Sequence, residues 1–166
     1  DARNRLVRVT SGGPEVARFT YDGFGRRATK VAGGMTTTFV YDGDDIIEER
    51  LSTGTTYRYV HGPGIDQPWA RRDGGGAVTY YVADHLGSIV QETNSTGIVT
   101  VTRSYDAWGN LDATSASVSG MAFTGREWDA ESQLYYYRAR YYAATFARFL
   151  SEDPASRVDG PSDRTP

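Results

Sequence analysis

Tyr21-Asp22-Gly23-Phe24-Gly25-Arg26-Arg27 is followed twenty residues on by Tyr41-Asp42-Gly43-Asp44-Asp45-Ile46-Ile47, and Tyr105-Asp106-Ala107-Trp108-Gly109-Asn110-Leu111 repeats the pattern. The opening Asp1-Ala2-Arg3-Asn4-Arg5-Leu6 matches the same unit with its tyrosine missing, so Asp1, Asp22 and Asp42 stand 21 and 20 residues apart. A unit this short cannot bury its own apolar face and has to stack on its neighbours. The chain is thereby confined to an array of repeats. Because the sequence opens inside a repeat, a longer parent polypeptide is expected.

Each unit reads as a hairpin. Thr36-Thr37-Thr38-Phe39-Val40-Tyr41 is β-branched and aromatic, and Asp22-Gly23 and Asp42-Gly43 suit the positive φ of tight hairpin turns. Further strands are expected at Thr55–Val60, Val78–Ala83, Ser88–Thr93, Ile98–Tyr105 and Gln133–Tyr142, with turns at Gly62-Pro63-Gly64, Gly74-Gly75-Gly76, Asp84–Gly87 and Asn94–Gly97. Strands this regularly spaced predict an all-β, antiparallel chain with minimal helix, a turn or two over Ala143–Leu150. Hairpins repeated at this period should form a strip that curls. In the last strand, alternation puts Tyr135, Tyr137, Ala139 and Tyr141 on one face and Tyr136, Arg138, Arg140 and Tyr142 on the other. Both faces carry aromatics, so something should pack on each.

With 166 residues the chain fits one domain, and its 18 basic against 21 acidic side chains leave a net charge of −3. That balance gives no bulk electrostatic drive toward nucleic acid or an anionic membrane. No apolar run is long enough to span a bilayer and Asp1–Thr10 has no signal-peptide core, although a mature or excised segment is compatible with secretion. Cysteine is absent, which excludes disulfides, thiolate metal sites and thiol nucleophiles. Lys30 is the sole lysine. Arginine among so many tyrosines predicts guanidinium–aromatic stacking across strands.

Most motifs that suggest chemistry dissolve on inspection. Gly23-Phe24-Gly25-Arg26-Arg27-Ala28 satisfies a dinucleotide fingerprint, but Thr29-Lys30-Val31-Ala32-Gly33-Gly34 cannot supply the helix that must follow. Asp84, His85 and Ser88 lie too close along one turn for a hydrolytic triad, and Asp84 is expected to bond backbone amides instead. His61, before Gly-Pro-Gly, reads as structural, and Asn94-Ser95-Thr96 as a hairpin loop. Two histidines cannot anchor a zinc site without scattered carboxylates, so no metal or cofactor is expected. Acid–base chemistry is credible only at Glu127, Asp129 and Glu131 with Glu152 and Asp153. The competing reading of this cluster is ion pairing to Arg126, Arg138, Arg140 or Arg148.

The repeats resemble the tyrosine–aspartate repeats of rearrangement-hotspot proteins, and the second half resembles their core domain. The words that carry the likeness are Tyr59-Val60-His61-Gly62-Pro63-Gly64-Ile65-Asp66, Asp84-His85-Leu86-Gly87-Ser88-Ile89-Val90 and Tyr105–Asn110. They continue with Phe123-Thr124-Gly125-Arg126-Glu127, Tyr135–Tyr142, Arg148-Phe149-Leu150 and Asp153-Pro154. On this likeness, residues 1–60 are repeats, 61–160 the core domain and 161–166 a tail. The resemblance implies a spiral β-strip wound into a hollow shell that encloses or presents a C-terminal toxin segment, in a secreted or cell-surface bacterial protein. It also implies, in toxin members, self-cleavage just beyond Asp-Pro by paired aspartates, which fall on Asp129 and Asp153 here. The sequence departs from that pattern at Ala155-Ser156-Arg157 and at Ala143-Ala144. Expected partners are the remainder of the shell, its cargo, or further copies of the chain joined at strand edges into an oligomer or filament. A surface-adhesion module is the third reading.

Overall fold

A computed structural model describes residues 1–115 and 118–153. Ten strands form one antiparallel sheet in sequence order: β1 (Arg8–Thr10), β2 (Glu15–Tyr21), β3 (Arg27–Ala32), β4 (Met35–Asp42), β5 (Asp45–Leu51), β6 (Thr56–His61), β7 (Pro68–Asp73), β8 (Val78–Ala83), β9 (Ile89–Asn94) and β10 (Val99–Thr102). A second antiparallel sheet runs β11 (Gly120–Met121), β12 (Glu127–Asp129), β13 (Leu134–Tyr137), β14 (Arg140–Ala143) and β15 (Arg148–Phe149). Helix among the described residues amounts to two single 3-10 turns, Phe123–Gly125 and Ala144–Phe146. The all-β expectation holds. The larger sheet crosses residue 61 without interruption.

Five turns share one device. The side chain of Asp22 accepts hydrogen bonds from the amides of Phe24 and Arg26, while Gly25 supplies the positive φ of +87° that closes the loop. Asp84, Asn94 and Asp106 cap the amides two and four residues ahead in the same way, with Gly87, Gly97 and Gly109 in the left-handed position. Asp1 does so too, with Asn4 in place of the glycine. Asp22-Gly23 is therefore not the tight turn expected of it. Asp42-Gly43 is, since Asp42 pairs with Asp45 and Gly43 takes φ +56°.

A second device ties four of the turns to the stretch of chain before. Tyr41 donates its hydroxyl to the Arg27 carbonyl at 2.9 Å and Tyr105 to that of Ile89 at 2.8 Å, and Tyr21 likewise reaches Leu6. His61 occupies the next tyrosine position at the twenty-residue spacing, and its Nε2 donates to the Ile46 carbonyl at 2.9 Å.

Three expectations are corrected. Gln133–Tyr142 is a hairpin, because Arg138 adopts φ +53° and turns the chain so that Tyr137 pairs with Arg140. Tyr141 consequently shares a face with Tyr136, and Tyr142 with Tyr135, because directly paired residues point the same way. Over Ala143–Leu150 the short helix gives way to a 3-10 turn and β15, with Phe146 exposed. In place of one spiral strip there are two open sheets. The ladder stops after Thr102, where Tyr105 makes only an isolated bridge to Leu111.

The small sheet is covered on both faces. Leu134, Tyr136, Tyr141 and Ala143 meet Ala17 and Phe19 of β2, and Met121 meets Phe39, Ile46, Tyr59 and Ile89. On the far side Trp128 and Tyr135 are covered by Tyr105, Leu111 and Phe123. Burying one such aromatic contributes about 2–3 kcal/mol. The Phe19 and Tyr141 rings, 5.0 Å apart, mark where the two sheets meet.

Candidate functional site between the two sheets

The inward face of the large sheet is not uniformly apolar. Lys30 opposes Phe19, Glu49 opposes Phe39, and Arg71 opposes Tyr59, so strand alternation delivers charged side chains into the space facing β12. Arg27 Nη1 lies 2.5 Å from Asp129 Oδ2, with both side chains 1% exposed. Lys30 Nζ bridges Asp129 at 2.8 Å and Glu131 at 2.7 Å. The Arg27 guanidinium also sits 4.4 Å from the ring centres of both Phe39 and Tyr136. Burial is the largest single influence on Arg27 and Lys30 and would lower both, but the surrounding acidic groups, Asp129 foremost, together hold them above their ordinary values. Glu131 is drawn below its usual range by Lys30 despite partial burial.

The network continues along the large sheet. Arg71 stacks on Tyr57 at 4.9 Å and reaches Glu92 at 3.4 Å, and Arg103 lies 2.8 Å from the other oxygen of Glu92. Burial pushes up Glu49 and lifts Glu127 to about 7; Arg27 and Arg126 counteract the rise at Glu127 and the charge of Glu49 adds to it. Glu127 is 8% exposed and its Oε2 has no hydrogen-bond partner. Of these groups, Arg27, Lys30, Glu49, Arg71, Glu127, Asp129 and Glu131 line a cavity of about 590 Å³ between the sheets.

The two aspartates picked out by resemblance sit differently. Asp129 is enclosed by Arg27 and Lys30, as described above. Asp153 is half-exposed and ion-paired to Arg140 at 3.0 Å. Asp129 opposes Leu134, which faces the large sheet, whereas Arg140 opposes Tyr137, which packs on the far side. Asp129 and the Arg140 partner of Asp153 therefore project from opposite faces of the small sheet. The Asp-Pro continuation from Pro154 and the 161–166 tail lie outside the described residues.

Other sequence candidates find structural employment. The Ser88 hydroxyl accepts the Thr124 amide at 3.0 Å, His85 is exposed, and Asp84 caps its turn as expected. β3 follows the glycine fingerprint where a nucleotide site needs a helix. The predicted arginine–aromatic stacking is present at Arg5–Tyr21, Arg26–Tyr41 and Arg126–Tyr137 as well. Sequence reasoning missed Arg27, Lys30, Glu49 and Arg71 as a group. Charged residues at inward-facing strand positions were the available signal.

No family model matches the chain. It is 34% identical to the tRNA nuclease WapA of Bacillus subtilis over 98% of its own length and 7% of that protein. It is 28% identical to the probable deoxyribonuclease RhsB of Dickeya dadantii over 98% of its length and 12% of that protein. Among solved structures, TcdB2–TccC3 without its hypervariable C-terminal region matches 93% of the chain and 8% of that chain, with a TM-score of 0.64 and 26% identity. The chain thus spans a small fraction of the proteins it matches. Among the described residues no helix is long and apolar enough to cross a membrane. Sequence and fold together relate this chain to the rearrangement-hotspot toxins.

Proposed function

We propose that this chain is a structural β-shell and core segment of a rearrangement-hotspot protein, one that encloses or presents a C-terminal toxin segment in a secreted or cell-surface bacterial polypeptide. The observation that carries this is the match to TcdB2–TccC3 in a form lacking the hypervariable C-terminal region, since the likeness lies in what remains. A tRNA nuclease and a probable deoxyribonuclease share the same segment. A segment common to proteins that act on different nucleic acids supports a scaffold role over either chemistry. The two-sheet packing agrees, because most of its buried charges are spent on each other and several of its turns are held by their own amides. The test is limited proteolysis of the parent polypeptide with this segment intact or unfolded by Arg27→Asp. Protection of the C-terminal segment lost in the variant is the expected result. A C-terminal segment equally sensitive in both, or nuclease activity of the 166-residue chain alone, overturns it.

A further inference from the structure

In and beside the cavity between the sheets most charges are already matched. Arg27 and Lys30 are taken by Asp129 and Glu131, and Arg71 and Arg103 converge on Glu92. Two carboxyls remain over, Glu49 and Glu127. Neither has a cation at ion-pair distance among the described residues, and Glu127 keeps one buried oxygen without any hydrogen-bond partner. An unmatched carboxylate oxygen in so enclosed a place is costly unless a donor meets it.

The walls indicate what kind of donor. Tyr57, Tyr59 and Phe39 line the same space, and Phe39 and Tyr57 already carry the guanidinium groups of Arg27 and Arg71, so the walls are of a kind that accepts cations and repels anions. At about 590 Å³ the space exceeds the needs of a single water and falls within the range of small-molecule sites. An anion is disfavoured because Arg27, Lys30, Arg71 and Arg103 are each already ion-paired to a carboxylate, although Arg27 Nε keeps no hydrogen-bond partner.

We propose that this cavity is a binding site for an organic cation, a primary ammonium or guanidinium group carried by a small molecule or a peptide side chain, seated on the free Oε2 of Glu127 with Glu49 as its second acidic wall. The inference stands apart from the shell reading, and neither needs the other.

The test is isothermal titration of the 166-residue chain at pH 8 with agmatine, with butylammonium and with a capped tripeptide containing one arginine. Acetate and phosphate serve as anionic controls. Saturable binding of at least one cation is expected, weakened about tenfold or more in Glu127→Gln because the anchoring charge is gone. Glu131→Gln, whose charge Lys30 already neutralises, should weaken it less. Preference for agmatine identifies a free amine as the source, and preference for the tripeptide identifies a side chain. Because Glu127→Gln removes a buried charge, its thermal midpoint should not fall, which separates lost binding from lost folding. No saturable heat from any cation up to about 10 mM, equal affinity in wild type and Glu127→Gln, or binding of the anions instead overturns the proposal.

Discussion

Gly125 and Asp66 are in such close contact that a Cβ on Gly125 would run into the Asp66 carbonyl oxygen. The adjoining Arg126 and the distant Arg138 both grip the Asp66 carboxylate, Arg138 at 2.8 Å, so the loop after β6 is clamped to the small sheet. Gly125 also holds φ +71°. Gly125→Ala should therefore destabilise the chain by about 2–4 kcal/mol, adding a backbone clash to left-handed strain. Gly43→Ala, at φ +56° with open space around it, should cost about 1 kcal/mol. Urea melts of the two variants make the comparison, and equal losses would show that the clamp is slack.

Asp129→Asn leaves the Arg27 charge buried without its ion-pair partner, which should cost about 3–5 kcal/mol. Asp153→Asn, half-exposed, should cost under about 1 kcal/mol. This difference makes Asp153 the informative position for self-cleavage. If the parent polypeptide cuts itself and Asp153→Asn abolishes the cut at unchanged stability, a chemical role follows. Mass spectrometry of the parent reads it. Processing that continues in Asp153→Asn removes it from the chemistry.

Glu127 titrates near 7 when folded against about 4.5 when unfolded. A carboxyl whose folded pKa lies above its unfolded one stabilises the fold while protonated in both states and loses that contribution as pH rises between the two values. Glu127 therefore penalises folding increasingly from about pH 4.5 to pH 7. Burial is the chief cause, with Glu49 adding to it and Arg27 and Arg126 opposing it. Glu127→Gln should raise the melting midpoint at pH 8, by the equivalent of about 1–3 kcal/mol, and leave it nearly unchanged at pH 4.5. A uniform shift at both pH values would rule out titration as the cause.

β10 is an edge strand of the large sheet, pairs only with β9, and reads Val-Thr-Val-Thr with Val99 exposed. Such an edge templates pairing with another chain. Sedimentation of the purified chain should show concentration-dependent association, reduced by Val99→Lys. A monomer at high concentration would show that the edge is protected.

Legibility in the sequence followed the range of the interaction. Val78–Ala83 was readable to the residue as a strand, and the capping role of Asp84 was readable as well, because both rest on neighbours a few positions away. β7 was invisible, since Pro68-Trp69-Ala70-Arg71-Arg72-Asp73 contains no β-branched residue and forms only because β6 and β8 flank it. Arg138 turns the chain without glycine or proline, so the hairpin it makes looked like one strand. The Arg27–Asp129 pair spans 102 residues, and nothing local to either end announces the other.

The hydroxyls of Tyr21, Tyr41 and Tyr105 and the ring of His61 all reach backward, to carbonyls 14 to 16 residues nearer the amino terminus. None of these four ties waits for sequence that has not yet been made, although Arg27 and Phe19 meet their cover only when the small sheet follows. A chain leaving the ribosome can set each hairpin against the last as it emerges, with little unpaired strand exposed at any moment. The same one-way dependence lets repeat units accumulate in order before the small sheet, which comes last, closes over their inward face.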